Sequence, residues 1–238
     1  LLKNIKNLNF IKKNDFVIEI ASNDGSFLKV LKSNGYKKIL GVDPAKNLAK
    51  LASKEGLKTL NDYWSLKVAK KIDKKYGKAN LVIARNVIPH VSNLIDAIKG
   101  IKFILSEKGV GLIEFHDASK IFKELHYDSI YHEHLNYFSL NSIENLLKNN
   151  NLFPFHVEHS PISGGSLVVF FDNGINSKTK NYQKRINFEK KNKINDYDSW
   201  VNFGKKVKLH KIKVLDFIKK NKNKKIIGFG SSARSQTF

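Results

Sequence analysis

The chain has 238 residues, 41% of them hydrophobic, and carries 43 Lys+Arg against 21 Asp+Glu, a formal net charge of +22. That apolar share can bury one large core, or one core and a small second unit, while no run of about 18 apolar residues exists for a membrane-spanning helix. The lack of cysteine excludes disulfides, thiolate nucleophiles and cysteine-bound zinc within the chain.

The charge favours a polyanionic partner. However, the lysines keep company with asparagines in runs such as KNNN and KKNKNKK, which a general compositional bias produces without any selected binding surface, so nucleic acid is not the expected partner. The opening LLKNIKNLNFIKKNDF has scattered lysines and no clean apolar stretch of a signal peptide; cytoplasm is the default location, with no membrane partner. The chain contains no methionine, even at its start, and stops at IIGFGSSARSQTF, where a β–α unit should begin. Both features read as those of a piece of a longer protein.

In chain order, DFVIEIASNDGSFLKVLKSNG opens with an apolar strand over residues 16–20, then a polar turn, then a helix to about residue 34. KKILGVDPA supplies a strand over 38–42 ending at Asp43, followed by a helix over 45–54 and a short strand near 57–60. ANLVIARN reads as a fourth, buried strand, VSNLIDAIKGIKFIL as an amphipathic helix, KGVGLIEFH as a fifth strand and LNSIENLLKNN as a further helix. FPFHVEHSP and GSLVVFFD are two closing strands joined through Gly164–Gly165. Alternation of strands and helices predicts an α/β fold, a mainly parallel sheet covered on both faces. The last two strands, with no helix between them, predict an antiparallel hairpin at its edge. The expected organisation is a core over 1–173, a lysine-rich helical linker over 174–224 and, over 225–238, the beginning of a second α/β unit. The linker should hold one or two surface-packed helices carrying Ile194, Trp200, Val207, Ile212, Leu215 and Ile218.

Open α/β sheets bind ligands beyond the carboxyl ends of their strands. There the first strand runs into IEIASNDGS and the second into GVDP, whose acidic residue can accept both ribose hydroxyls. The first turn lacks G-x-G-x-x-G, which argues against a pyrophosphate cradle. E-I-A-S-N-D-G instead resembles the E/D-x-G-x-G-x-G loop of class I S-adenosylmethionine (AdoMet) methyltransferases, with Ala21 and Asn23 in place of two glycines. Alanine still lets the backbone approach a ligand, and asparagine tolerates positive φ. Taken singly, each element reads equally as an ordinary strand-end turn. Together they make Glu19, Ala21, Ser22, Asn23, Gly25 and Asp43 candidate AdoMet contacts. Asp62 and Tyr63 join them at the adenine position after the third strand, and Asn86 after the fourth. Tyr63 and Trp64 read equally as stacking partners and as core filler.

The densest concentration of proton-handling side chains is IYHEHLNYFS, residues 130–139. Solvated polar residues, a metal site using His132 and His134 on one face of an extended segment, and acid–base catalysis are the three readings. No third ligand is identifiable, which weakens the metal. The stretches VIEIASNDGSFL, GVDPAKNLA, ARNVIPHV, HYDSIYHEHLNYFSL, VEHSPISGGSLVVF and GFGSSARSQT, in that order, resemble the AdoMet-dependent sugar C-methyltransferases that act on nucleotide-linked 4-keto-deoxysugars. The resemblance covers most of 16–238, and the Y-x-E-H core is its most specific part. It implies a Rossmann-like class I methyltransferase core with a seven-stranded sheet, AdoMet as cofactor and a nucleotide-linked keto sugar as substrate. It also implies flanking domains, of which an N-terminal one, absent here, would hold the family's zinc; no metal is expected in this chain.

Carbon methylation beside a ketone needs a base for the α-proton and a group that stabilises the enolate. Neutral histidine suits the first role, a carboxylate can orient it, and a tyrosine hydroxyl can bond the developing oxyanion. By resemblance, Tyr131, Glu133 and His134 carry over to the active-site positions, with His134 as base and Tyr131 or Glu133 positioning the keto sugar. His90 reads equally as a substrate contact and as a helix cap. Gly164 and Gly165 are candidate substrate contacts, and GFGSSARS a candidate phosphate cradle with Arg234. His116 and Asp117 depart from the proline-containing stretch expected there and receive no role. The alternatives are another small-molecule acceptor, or RNA; against RNA, RNVIPHV stands where an amino-directed enzyme has N/D-P-P-Y/F/W.

Overall fold

The structure, a computed structural model, describes residues 1–228 and Arg234, with the backbone alone at Asn4 and Asn7. Seven strands, β1 (Phe16–Ile20), β2 (Lys38–Val42), β3 (Thr59–Leu60), β4 (Ala79–Arg85), β5 (Leu105–His116), β6 (Phe153–Ser160) and β7 (Ser166–Asp172), form one sheet in the order β3-β2-β1-β4-β5-β7-β6. The first five are mutually parallel, and β7 runs antiparallel to both β5 and β6. The hairpin expected at the edge is present, with its second strand laid against β5.

Strand alternation divides the core between two faces. Phe16, Ile18 and Ile20 of β1, Val82 and Ala84 of β4, and Leu167, Val169 and Phe171 of β7 pack on one side. They meet α4 (Leu66–Tyr76), α5 (Leu94–Ile104), α7 (Leu140–Lys148) and α8 (Lys180–Lys191) through Val68, Ile98, Ile143 and Tyr182. Val17, Leu81, Ile83, Val168 and Phe170 turn to the other side, against α1 (Leu2–Asn7), α2 (Ser26–Ser33) and α3 (Lys46–Lys54). A central strand buried on both faces must be apolar at nearly every position, and each such side chain contributes about 1.5–3 kcal/mol relative to exposure.

Besides the short α1, two helices of this unit escaped the sequence reading. In α4 a lysine-rich segment hides Val68, Ala69 and Ile72 on one face, and the Ser65 hydroxyl caps it by accepting from the Val68 amide. The second, α6 (Ala118–Glu124), starts from Asp117, whose carboxylate accepts from the Ser119 amide at 2.9 Å. The lysine-rich segment beyond β7 forms two helices, α8 and α9 (Tyr197–Lys220). α9 packs at its start, where Trp200 and Phe203 meet Phe122. Ile212, Leu215 and Ile218, expected to pack, are exposed. Residues 225–228, expected as a strand, have no regular structure, and Ile226 and Ile227 are 55% and 76% exposed. A strand needs a neighbour to take its backbone hydrogen bonds, and none lies beside them among the described residues.

The chain passes from β1 outward to β2 and β3, then returns to the other side of β1 as β4. Such a reversal leaves a crevice at the carboxyl ends of β1 and β4.

Candidate active site

β1 enters the crevice through Glu19 and turns at Ala21 (φ 53°), Asn23 (φ 54°) and Gly25 (φ 81°). Glycine at 25 is required twice over: its φ is left-handed, and a Cβ there would lie 2.7 Å from Leu57 Cδ1. Asp43, buried at the end of β2, fastens the turn, one carboxylate oxygen accepting from the Asn23 amide and the other from the Ala45 amide, both at 2.8 Å. Each oxygen keeps a further lone pair, as a ribose diol requires.

Glu19 is 1% exposed; its Oε1 accepts from Arg85 Nη2 at 2.7 Å and Nε at 3.1 Å, whereas Oε2 has no partner among the described residues. Burial pushes this carboxyl up to about 7 against the opposing pull of Arg85. A buried carboxylate with one unsatisfied oxygen fits the ammonium of a bound AdoMet, and Asp43 fits its ribose.

The remaining cofactor candidates divide. Trp64 packs on the core and donates Nε1 to the Ala97 carbonyl at 3.0 Å, so it is core filler. Tyr63 is 78% exposed, and Asp62 Oδ1 accepts from its amide at 2.9 Å. Asn86 leaves β4 with φ 50° and ties its amide to the Glu114 carbonyl of β5 at 2.7 Å. The Ser22 hydroxyl is buried beneath the turn, without a partner among the described residues.

Residues 130–138, which carry the Tyr-His-Glu-His cluster, contain no helix and only an isolated bridge. Neighbours hold this segment. The Pro89 carbonyl accepts from the amides of Leu135 and Asn136 at 2.9 and 3.1 Å. His90 Nδ1 donates to the Glu133 carbonyl at 2.8 Å. The cap of α5 is Asn93, so His90 is not that cap. His134 Nδ1 lies 3.2 Å from the Ser129 carbonyl, and a carbonyl only accepts, so Nδ1 carries the proton and Nε2 presents a lone pair. That Nε2 is 3.5 Å from the Tyr131 hydroxyl, and the His90 ring meets His134 edge-on at 4.8 Å. Burial, then neighbouring His90, lower the His134 pKa, so the ring is neutral at physiological pH. Burial and the Glu133 carboxylate raise the Tyr131 hydroxyl. Glu133 is exposed, and the group that orients His134 is the Ser129 carbonyl. His132 is exposed, and no three His, Asp or Glu side chains among the described residues are arranged to hold an ion.

A pocket of about 160 Å³ is lined by Asn86, Pro89, His90, His116, His134, Asn136, Tyr137 and Ser163. Gly164 and Gly165 form the β6–β7 turn above the β5 exit, where the Gly165 carbonyl accepts from the Asp117 amide at 3.1 Å. Arg234 bonds Asp128 Oδ2 at 2.7 Å and Ser129 Oγ at 2.8 Å, the segment that orients His134. Of the rest of GFGSSARS, residues 229–233 and 235 lie outside the described residues.

The sequence reading missed Arg85, although Glu19 pairs with Ile83, which puts position 85 two residues on along the same face. It also missed the service of Ser129, which is a backbone role that side-chain identity does not signal.

A sheet in this order, with an acidic residue after β2 and a left-handed turn after β1, leaves a nucleotide-type crevice at the strand ends, and comparison with known proteins gives its class: an AdoMet-dependent methyltransferase. Residues 1–156 match the family described as methyltransferase domain, and residues 161–238 the one described as C-methyltransferase C-terminal domain. The chain belongs to the methyltransferase-domain family, and its C-terminal third resembles the C-methyltransferase C-terminal domain. It is 33% identical over 156 residues to the C-methyltransferase NovU of Streptomyces niveus, an alignment covering 66% of this chain and 37% of that protein. The match thus spans little more than a third of the relative's length. Among solved structures, a SAM-dependent methyltransferase from Anabaena variabilis is 15% identical with a TM-score of 0.56, over 72% of this chain and 82% of that one. Magnesium protoporphyrin IX methyltransferase from Synechocystis, with bound SAM, is 12% identical with a TM-score of 0.51, over 71% and 74%. These structures share the fold.

Proposed function

We propose that this chain is the core of an enzyme that methylates a carbon beside the ketone of a nucleotide-linked deoxysugar, through an enolate. The observation that carries the reading is the state of His134: a neutral imidazole whose proton is fixed on Nδ1 by the Ser129 carbonyl, leaving Nε2 as a base at the pocket. Glu19 and Asp43 would hold AdoMet at the neighbouring strand ends. When bound, AdoMet supplies an electrophilic methyl group on a sulfonium, which a carbon nucleophile displaces as a neutral thioether. His134 Nε2 takes the α-proton. The C–H electron pair becomes the C=C bond of the enolate, and the former carbonyl π pair moves to oxygen. Tyr131, whose hydroxyl lies 3.5 Å from Nε2, would donate to that oxygen. Gly164, Gly165 and Arg234 belong to the substrate side of this proposal. Another small keto or hydroxy acceptor is the alternative.

The test incubates the full-length protein with AdoMet and a panel of nucleotide-linked keto sugars, reading product mass and α-hydrogen exchange with deuterated water. His134→Asn should keep AdoMet affinity while exchange and methyl transfer fall together by about 10²–10⁴-fold, the usual worth of positioned acid–base catalysis. Exchange at the wild-type rate in that variant would remove His134 as the base.

A further inference from the structure

We infer that His116 is a second residue touching the acceptor: its Nε2 donates a hydrogen bond to the carbonyl oxygen that gains charge as His134 removes the α-proton. The inference rests on the enolate reading above. His116 is the last residue of β5 and pairs with Ser166 of β7, so its backbone is fixed by the sheet. Its side chain lines the same pocket of about 160 Å³ as His134, His90 and Asn86. That volume equals the liquid share of about five waters, enough for the carbonyl edge of one sugar ring. The residue is 7% exposed, yet Nε2 has no hydrogen-bond partner among the described residues. An unpaired buried polar nitrogen costs stability, and with the proton on Nε2 a ligand oxygen is the partner its place in the pocket offers.

The surroundings keep this imidazole neutral. Burial lowers its pKa to about 4; His126, Arg234 and His134 push the same way, and Asp117 opposes them. The His126 ring lies 5.8 Å away, tilted by 33°, with its Nε2 3.3 Å from the Glu124 carboxylate. A neutral histidine with its proton on Nε2 donates but does not titrate at working pH, which leaves proton removal to His134. As the α-carbon loses its proton to His134 Nε2 and the carbonyl π pair moves to oxygen, the His116 N–H bonds an acceptor of growing charge. Such a bond strengthens toward the transition state. No sequence motif singled out this histidine; only its convergence with His134 on one pocket does.

The experiment uses the full-length protein, a dTDP-linked 4-keto-6-deoxyhexose as probe, and deuterated water without AdoMet. In His116→Phe, α-hydrogen exchange should fall by about 10²–10³-fold, the usual effect of losing one oxyanion donor. His116→Gln, which retains a neutral N–H donor, should recover exchange to within about tenfold of wild type. AdoMet affinity and melting temperature should stay near wild type in both, and the pH profile of exchange should keep its shape while dropping at every pH. Should His116→Phe fail to fold, His116→Leu takes its place. Wild-type exchange in the folded Phe or Leu variant overturns the inference, as does a His116→Gln protein as slow as that variant. A wild-type protein that neither exchanges nor methylates any keto sugar of the panel overturns the enolate reading, and this inference with it.

Discussion

If AdoMet sits as proposed, Glu19 would couple its binding to pH. Burial raises its carboxyl to about 7, although Arg85 opposes the shift. Between the ordinary carboxylate range and 7, the folded protein therefore holds a proton that the unfolded chain has released. More protons on the native state means that this group's contribution to stability falls as pH rises through that window. Binding of a cationic AdoMet runs the other way, because only ionised Glu19 offers a counter-charge. AdoMet affinity should climb between pH 6 and 8 with an inflection near 7, by up to about tenfold per unit below it. Glu19→Gln should bind weakly with no such inflection. Calorimetry across that range decides, and a flat wild-type profile would show that Glu19 does not face the cation.

Among the elements, α8 is fastened by buried charge as well as by the apolar packing of Tyr182. Arg185 makes two bonds to Asp117 at 2.6 and 2.8 Å and one to Glu189 at 2.9 Å, all three side chains being buried. Glu189 in turn accepts from the Leu140 and Asn141 amides at the start of α7, and Asp117 starts α6. Arg185→Met leaves two carboxylates buried without their cation and should cost about 3–5 kcal/mol, read as a lowered denaturant midpoint. An unchanged midpoint would mean that water reaches the triad. This arrangement also explains what the sequence hid. Central strands such as VIEI and LVIA were legible because burial on both faces makes them continuously apolar. The buried face of α8 is Tyr182, Arg185 and Glu189, so a search for apolar periodicity passes over it in a lysine-rich run. Likewise, Tyr131, Glu133 and His134 were legible as a dense motif, whereas Arg85 and His116 join the site only through strand adjacency.

At the scale of the whole molecule, the net charge of +22 is the property most open to misreading. The pocket is narrow and ringed by histidines, unlike a groove with aromatic platforms for bases. Nucleic-acid binding should accordingly be weak, indifferent to sequence and steeply lost with salt. Submicromolar affinity for a defined RNA at physiological salt would overturn that expectation. No helix among the described residues is long and apolar enough to cross a membrane. The attachment of the 130–138 segment has a consequence for motion. It is stitched to the exit of β4 by two amides sharing the Pro89 carbonyl and by the His90–Glu133 bond. Each such bond is worth about 0.5–1.5 kcal/mol net, far less than the sheet beneath it. The segment that bears His134 is therefore held by individually weak bonds, with two more at Asn136 Nδ2–Val91 O and Ala118 N–Phe138 O, and its amides should exchange with solvent before those of the strands. Ser129, buried just ahead of it and tied to Arg234, is the fixed point of the segment: its carbonyl holds the His134 proton on Nδ1, so on the proposed mechanism the ring waits in the tautomer a base needs.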